Sequence, residues 1–440
     1  MTTATISAVL PRLRRRSELG LILFSAVIIG GAYTLASLGR TASIPANIGP
    51  FLGVVVGLVL IAHLAVRRLA PAADGILLPV AGLLNGLGYV VIARLDQKLA
   101  GLQAAWTAVG ILAFVLTLLV VRRTRDLQAH RYTFALVGVG LLLLPLLPGI
   151  GRPVLGARVW VFLGPMSFQP GEVAKICLVI FLAAYLVEKR ELLGMATWPR
   201  FRPVLPDLKH LGPILAAVGI ALLVLVFEND FGQSLLLVTL FIVMLWVATE
   251  RSTYLVVGFG LFAAGAYAAW QKVTHVRARF TIWLNPWSSY DRNGYQIVQG
   301  AFAMSWGGVA GTGLGLGSPG LVPESQNDFI FAVIGEELGV LGSTLVLVAY
   351  LMIIGAGLRI AAQAESAFDK LLAVGVTALL GFQSFIIIAG VTRVLPLTGV
   401  ALPFVSYGGS SLVSSYVLLA LLMRVSDEST RKRLANEAAR

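Results

Sequence analysis

The sequence predicts an all-α polytopic membrane protein of about twelve transmembrane helices. Three observations carry that expectation. Of its 440 residues, 58% are hydrophobic and only 12% are charged, against about 25% charged in soluble domains; no water-soluble fold buries that much apolar surface. The mean hydropathy is +0.87, and the apolar residues gather in runs of about twenty, the length at which a helix crosses a bilayer. The connectors are mostly very short, and an open sheet edge cannot face lipid, so helices are the default.

In chain order the runs are 20–38, 49–66, 75–94, 102–121, 132–149, 170–187, 211–227, 232–249, 253–271, 329–358, 371–391 and 408–423. The basic stretch PRLRRRSE precedes the first. That run is longer than the apolar core of about 7–15 residues in a secretory signal, so it reads as an uncleaved span. Residues 1–72 form an N-terminus with two helices, 73–425 a larger unit containing a long insert at 272–328, and 426–440 a polar tail.

The net charge is +13 and the pI about 10.2. In a soluble protein that balance suggests nucleic acid; here cytoplasmic loops collect Lys and Arg, and no nucleic-acid partner is expected. With the N-terminus inside, cytoplasmic segments carry about 23 Lys and Arg against about 10 outside, which puts both termini in the cytoplasm. The external face is then built from 150–169, 228–231, the long insert and 392–407. Cys177 stands alone and forms no internal disulfide. His63, His130, His210 and His275 share no ligand spacing, so no zinc site is expected.

Ionisable residues inside spans are costly and are functional candidates by default. Glu172 and Lys175 stand three apart at a helix start, on one face where they can pair. Glu228 and Asp230 flank Asn229 at a membrane boundary. Asp328 opens the span after the insert and can cap it. Glu336 and Glu337 follow about two turns later, too deep for surface charges. Arg393 ends a span, as a snorkelling anchor or a ligand. The stretch 277–339 is the long polar interval of the chain, with five aromatics between Phe280 and Tyr295; that density argues against disorder, and long loops of this kind are often functional. Its run GGVAGTGLGLGSPG follows no strand and lacks the Walker lysine, so it reads as close backbone packing or a hinge rather than a phosphate loop.

Seven motifs in this order resemble one family. They are GARVWV at 156–161, QPGEVAK at 169–175, ENDFG at 228–232, R-x5-NPW from Arg279, GYQ at 294–296, NDFIFAVIGEELG at 327–339 and LPLTGVALPFVSYGGSS at 395–411. The chain resembles the SEDS proteins (shape, elongation, division and sporulation), membrane glycosyltransferases that polymerise peptidoglycan. The resemblance runs from Gly75 to Arg424. Such proteins usually have ten spans, which implies two added at the N-terminus. Elongation (RodA-type) and division (FtsW-type) members share these motifs, and the RodA type is favoured.

The resemblance implies a lipid II polymerase of the bacterial cytoplasmic membrane. It would join disaccharide-peptide units carried on undecaprenyl pyrophosphate at the outer face, beside a class B penicillin-binding protein acting as transpeptidase. A positioned carboxylate can take the proton of the acceptor sugar hydroxyl, and an α-linked donor giving a β-linkage requires inversion with one base. Charge growing on the leaving pyrophosphate needs cations, and Arg158, Lys175, Arg279, Arg292 and Arg393 are available. No ligand set demands a metal, although a divalent cation (Mg or Mn) could take that part. The family's catalytic acid lies between NP and GYQ. An ungapped alignment puts Ser289 there, and Asp291 comes two residues later. Asp291 is the only carboxylate between Gln271 and Glu324, so the base is assigned to it by elimination; the alternative is that it stabilises the turn. Substrate contacts are expected from Arg158, Glu172, Lys175, Asp230, Arg279, Gln296, Asp328, Glu336, Arg393 and Ser406. Two other functions stay open, a flippase for the lipid-linked precursor and a non-catalytic scaffold. A transporter would be expected to carry an internal repeat, and none is detectable.

Overall fold

In lipid each backbone polar group must be satisfied within its own element, and the apolar runs do this as helices. The computed structural model describes residues 3–44, 48–154, 157–163, 166–194, 208–291 and 294–439. The order begins α1 (Thr3–Thr41), α2 (Ile48–Leu69), α3 (Leu77–Leu95), α4 (Gln97–Val120), α5 (Thr124–Ala129) and α6 (Arg131–Leu143). Three strands follow, β1 (Gly151–Val154), β2 (Ala157–Leu163) and β3 (Met166–Phe168). Then come α7 (Pro170–Gly194), α8 (Leu208–Phe227), α9 (Phe231–Thr249), α10 (Thr253–Lys272), α11 (Thr274–Leu284) and α12 (Tyr295–Gly307). The chain closes with α13 (Ile330–Gln363), α14 (Ala367–Val391) and α15 (Gly409–Ala438).

Among the described residues, 10 helices are long and apolar enough to cross a membrane, and the protein is an all-α polytopic membrane protein. Two further apolar helices, at Arg131–Leu146 and Gly212–Phe227, coincide with expected spans but are shorter. Part of the basic connector before α8, residues 195–207, lies outside the described residues.

Four features differ from the expectation. First, α1 begins at Thr3, well before residue 20, and its polar start is partly buried. Glu18 accepts a hydrogen bond from His63 at 2.8 Å and pairs with Arg15, which also donates to the Ala73 carbonyl. Buried charges persist when paired and hydrogen-bonded in this way. Second, α15 runs on through the expected tail to Ala438. Its Asp427 accepts from the Ala72 N–H at 2.8 Å and pairs with Arg431 at 2.9 Å, one turn on. Third, β1, β2 and β3 form a three-stranded antiparallel sheet in the order β1-β2-β3. Fourth, the insert is not one loop, because α11 and α12 lie within it.

The chain divides into two compact units. One comprises Met1–Val120, Thr274–Ala356 and Gln383–Arg440. Its centre is the packing of α4 on α15. Gly110 lets the Tyr416 ring approach closely, Phe404 meets that ring edge-on at 5.4 Å, and Asn85 donates to the Tyr416 hydroxyl at 2.8 Å. Ile29 and Ala36 of α1 pack with Val90 of α3 as a second cluster. The other unit comprises Val121–Val273 and Gly357–Phe382. There α7 is the central helix: Phe181 and Tyr185 are fully buried, and Gly138 of α6 lies against Cys177 and Leu178.

Candidate active site

The turn that carries Asp291 is assembled from its neighbours in sequence. α11 ends at Leu284, and Pro286 opens a 3-10 turn over Pro286–Ser289; proline suits a first helical position, where no N–H partner is needed. The Gly294 N–H returns to the Ser289 carbonyl at 2.9 Å. A Cβ at Gly294 would stand 2.1 Å from the Pro286 carbonyl oxygen, so only glycine closes this turn. The Tyr290 ring stacks on Trp287 at 6.4 Å and meets Tyr295 edge-on at 5.5 Å. Gln299 donates to the Tyr290 hydroxyl at 3.1 Å. The next residue is Asp291, which is exposed and makes no hydrogen bond or ion pair among the described residues. Ser289 has its hydroxyl oxygen buried without a partner. Arg292 lies outside the described residues.

α11 also gathers cations. Arg279 Nη1 donates to the Thr398 carbonyl at 3.3 Å. One turn on, Trp283 and Arg393 exchange two bonds: Trp283 Nε1 donates to the Arg393 carbonyl at 2.9 Å, and Arg393 Nη2 to the Trp283 carbonyl at 3.1 Å. Both guanidiniums keep further N–H groups beyond these bonds, since each carries five donors. Beyond Thr398, the Gly399 Cα faces Asp328, whose Oδ2 lies 3.6 Å from where a Cβ would stand. Ser406 is buried; its hydroxyl donates to the Asn327 carbonyl at 2.7 Å and accepts from the Leu402 N–H at 2.9 Å. The Tyr407 N–H reaches the Gln326 carbonyl at 2.9 Å. Arg279, Arg393, Asp328 and Ser406 are thus joined through the 393–407 segment. Gln296 is turned to the Pro323 carbonyl at 3.1 Å, fastening the start of α12.

Glu336 and Glu337 are buried just before Gly339, where non-helical dihedrals break α13. Both side chains are turned to the backbone of the glycine-rich run. Ser318 N–H donates to Glu336 Oε1 at 2.7 Å and Gly315 N–H to Glu337 Oε2 at 3.1 Å. Arg94 pairs with Glu337 as well. The second oxygen of Glu336 is buried without a partner.

In the other unit Lys175 Nζ donates to Glu172 Oε1 at 2.9 Å, and both side chains are buried. Asp230 caps α9 by accepting the Gln233 N–H at 3.0 Å, as short acidic side chains do at helix starts. Gly171 brings the start of α7 against the Gln233 side chain. Arg158 is exposed on β2, and its N–H donates to the Glu228 carbonyl at 3.0 Å. Glu228 is one of the functional candidates in the sequence but not one of the expected substrate contacts. Its side chain is buried with Oε1 lacking a partner, and burial, then the Asp230 charge, push its carboxyl up to about 8. Its position one residue from Asn229 and two from Asp230 was the available signal. Among the described residues no three His, Cys, Asp or Glu side chains converge as a metal site.

The chain is 43% identical over 429 residues to a peptidoglycan glycosyltransferase RodA of Mycobacterium tuberculosis, covering 95% of this chain and 92% of that protein. It is 36% identical over 289 residues to a probable peptidoglycan glycosyltransferase FtsW of Geobacter sulfurreducens, covering 65% of this chain and 74% of that one. A chain from a solved peptidoglycan synthase complex, described as coordinating polymerization and crosslinking, superposes with a TM-score of 0.66 at 26% identity. That superposition covers 81% of this chain and 98% of the other. The cell cycle protein family of FtsW, RodA and SpoVE matches residues 89–431, and with that match the chain belongs to this family, the SEDS proteins that its motifs resemble.

Proposed function

We propose that the chain is a RodA-type peptidoglycan glycosyltransferase. It polymerises lipid II at the outer face of a bacterial cytoplasmic membrane, with both termini in the cytoplasm and a class B penicillin-binding protein as its crosslinking partner. The relation to a RodA over nearly the whole chain supports the activity. The observation that carries the mechanism is Asp291: an exposed carboxylate, free of internal partners among the described residues, on a turn locked by Gly294 and the Tyr290 ring.

In this reading an acceptor sugar hydroxyl attacks the anomeric carbon of the donor. The new C–O bond forms as the bond to the lipid pyrophosphate breaks, and the hydroxyl proton passes to Asp291. One base and direct displacement invert the anomeric centre. The uncommitted N–H groups of Arg279 and Arg393 offset charge growing on the pyrophosphate, as preorganised donors do. A divalent cation accompanying the pyrophosphate can share that task. Asp328, Gln296, Glu336 and Ser406 hold the segments that shape this side of the site. Arg158, Glu172, Lys175 and Asp230 are further substrate-binding residues of the reading, each testable alone.

The test is polymerisation of purified lipid II by the full chain, with and without the transpeptidase. Asp291→Asn is expected to abolish chain growth, and full activity in that variant overturns the assignment. Transfer of lipid II across vesicles without extension would instead favour the flippase reading.

A further inference from the structure

The glycine-rich run after α12 takes no direct part in that chemistry, yet it is gripped from two sides. α13 holds one. Thr312 and Gly313 N–H groups donate to the Glu336 and Glu337 carbonyls at 2.9 and 3.0 Å, and the two side chains take the Ser318 and Gly315 N–H groups. The Val340 and Leu341 N–H groups, freed by the break at Gly339, donate to the Gly308 and Val309 carbonyls at 3.0 and 3.1 Å.

α1 and α3 hold the other side. A Cβ on Gly39 would stand 2.3 Å from the Leu314 carbonyl oxygen, and one on Gly315 2.3 Å from the Ala36 carbonyl oxygen. The two backbones therefore touch where each lacks a side chain, and Gly315 also adopts a φ of +84° that other residues resist. The Leu314 side chain packs against the cluster formed by Ile29, Ala36 and Val90. Arg94 donates to the Gly317 carbonyl at 2.5 Å while pairing with Glu337, and Arg40 Nη1 donates to the Arg94 carbonyl at 3.0 Å. α1 and α2 both precede residue 89, where the family match begins.

We propose that α1 is a built-in clamp: its last turn, Ala36 to Arg40, fixes the glycine-rich run and so positions α12 and the catalytic turn at the other end of that helix. α12 has only 13 residues, too few to be stable alone, so its place depends on what holds its ends. Gln296 and Pro323 hold the first, and the glycine-rich run holds the second. Gly39 and Leu314 are positioning residues in this scheme. The catalytic consequence rests on the function proposed above; the clamp itself does not.

Hydrogen exchange on the full chain, read together with polymerisation kinetics, tests it. Gly39→Val should speed exchange of the Thr312, Gly313, Gly315 and Ser318 amides at least tenfold, and Leu314→Ala should do so by a smaller factor. Turnover should fall several-fold with KM unchanged. Gly31→Val on the same helix, where a Cβ meets nothing within 4 Å, should change neither. Unaltered exchange in both Gly39→Val and Leu314→Ala overturns the clamp. Faster exchange with full turnover overturns the positioning role. Should the wild-type chain polymerise nothing, the exchange result still decides the clamp while the function fails separately. Should Gly39→Val not fold, Leu314→Ala carries the test.

Discussion

Two stretches of the same insert treat their charges in opposite ways. The glycine-rich run engages three charged side chains: Glu336 and Glu337 accept from its backbone N–H groups, and Arg94 donates to the Gly317 carbonyl while pairing with Glu337. The turn that opens at Pro286 is held by backbone bonds and stacked rings, and its carboxylate, Asp291, is exposed and makes no hydrogen bond or ion pair among the described residues. Buried charge in an apolar surrounding has to be paired, or it destabilises the fold. A carboxylate meant to accept a proton from a substrate has to be left over once the fold is satisfied. The contrast separates acids that build the insert from the one proposed above as the base.

The largest effect tests the free side of that contrast. Asp291→Asn keeps the size and removes the base; general base catalysis contributes about 10²–10⁴-fold, so polymerisation should fall by that factor while the melting temperature in detergent stays unchanged. A large loss of stability instead would make Asp291 a builder. The committed side predicts the reverse pattern. Arg94→Ala strands the Glu337 carboxylate, and breaking a buried pair costs about 3–5 kcal/mol. Glu337→Gln, which keeps an acceptor for Gly315 and loses only the charge, should cost less. Denaturation that ranks Glu337→Gln above Arg94→Ala would break the comparison.

How much of this was legible in the sequence follows from the range of each interaction. Spans depend on local apolar length, and among the described residues ten of the expected runs coincide with helices long enough to cross a membrane and two with shorter ones. The Glu172–Lys175 pair is a contact three residues apart and could be read from spacing. The sheet at 151–168 could not be read, because Gly and Pro interrupt its short strands and leave no clean alternation. α11 is hidden by its basic, aromatic composition and α12 by the glycines at its ends. The depth of Glu336 can be read from helical rise, but its partner is a backbone N–H 18 residues earlier, which no pattern announces. Arg94 looked like the end of a span, and only the fold brings it to Gly317, 223 residues away. The glycine-rich run did announce close packing, though not what it packs against.

Glu228 is the intermediate case, buried yet with one carboxyl oxygen unengaged. Its carboxyl is displaced from its ordinary 4.5 to about 8 by burial and the neighbouring Asp230. The folded protein then holds this proton more tightly than the unfolded chain. The contribution is fully present below about pH 4.5 and is lost as pH rises toward 8, by no more than a few kcal/mol. Stability should decline across that window in wild type and decline less in Glu228→Gln. Melting temperatures measured from pH 5 to 8.5 check this, and parallel curves would show that Glu228 ionises freely.

The smallest effect asks whether Arg393, bonded to Trp283 near the end of α11, belongs with the builders or with the free groups. Arg393 and Trp283 exchange two bonds, each from a side chain to the other's carbonyl. Trp283→Phe removes one donor and leaves the Arg393 carbonyl to find water, at a net cost of about 0.5–1.5 kcal/mol. The reverse bond, from Arg393 Nη2 to the backbone of residue 283, survives the change. If that bond alone aims the guanidinium, Trp283→Phe should lower stability slightly and leave turnover intact. If both bonds are needed, turnover falls with stability, and Arg279→Lys, which trades the guanidinium for an ammonium at the same helix face, should compound the loss more than additively. A double-mutant cycle on turnover decides between them: additive effects assign Arg393 to the builders, and coupling assigns it, with Arg279, to the groups that meet the leaving pyrophosphate.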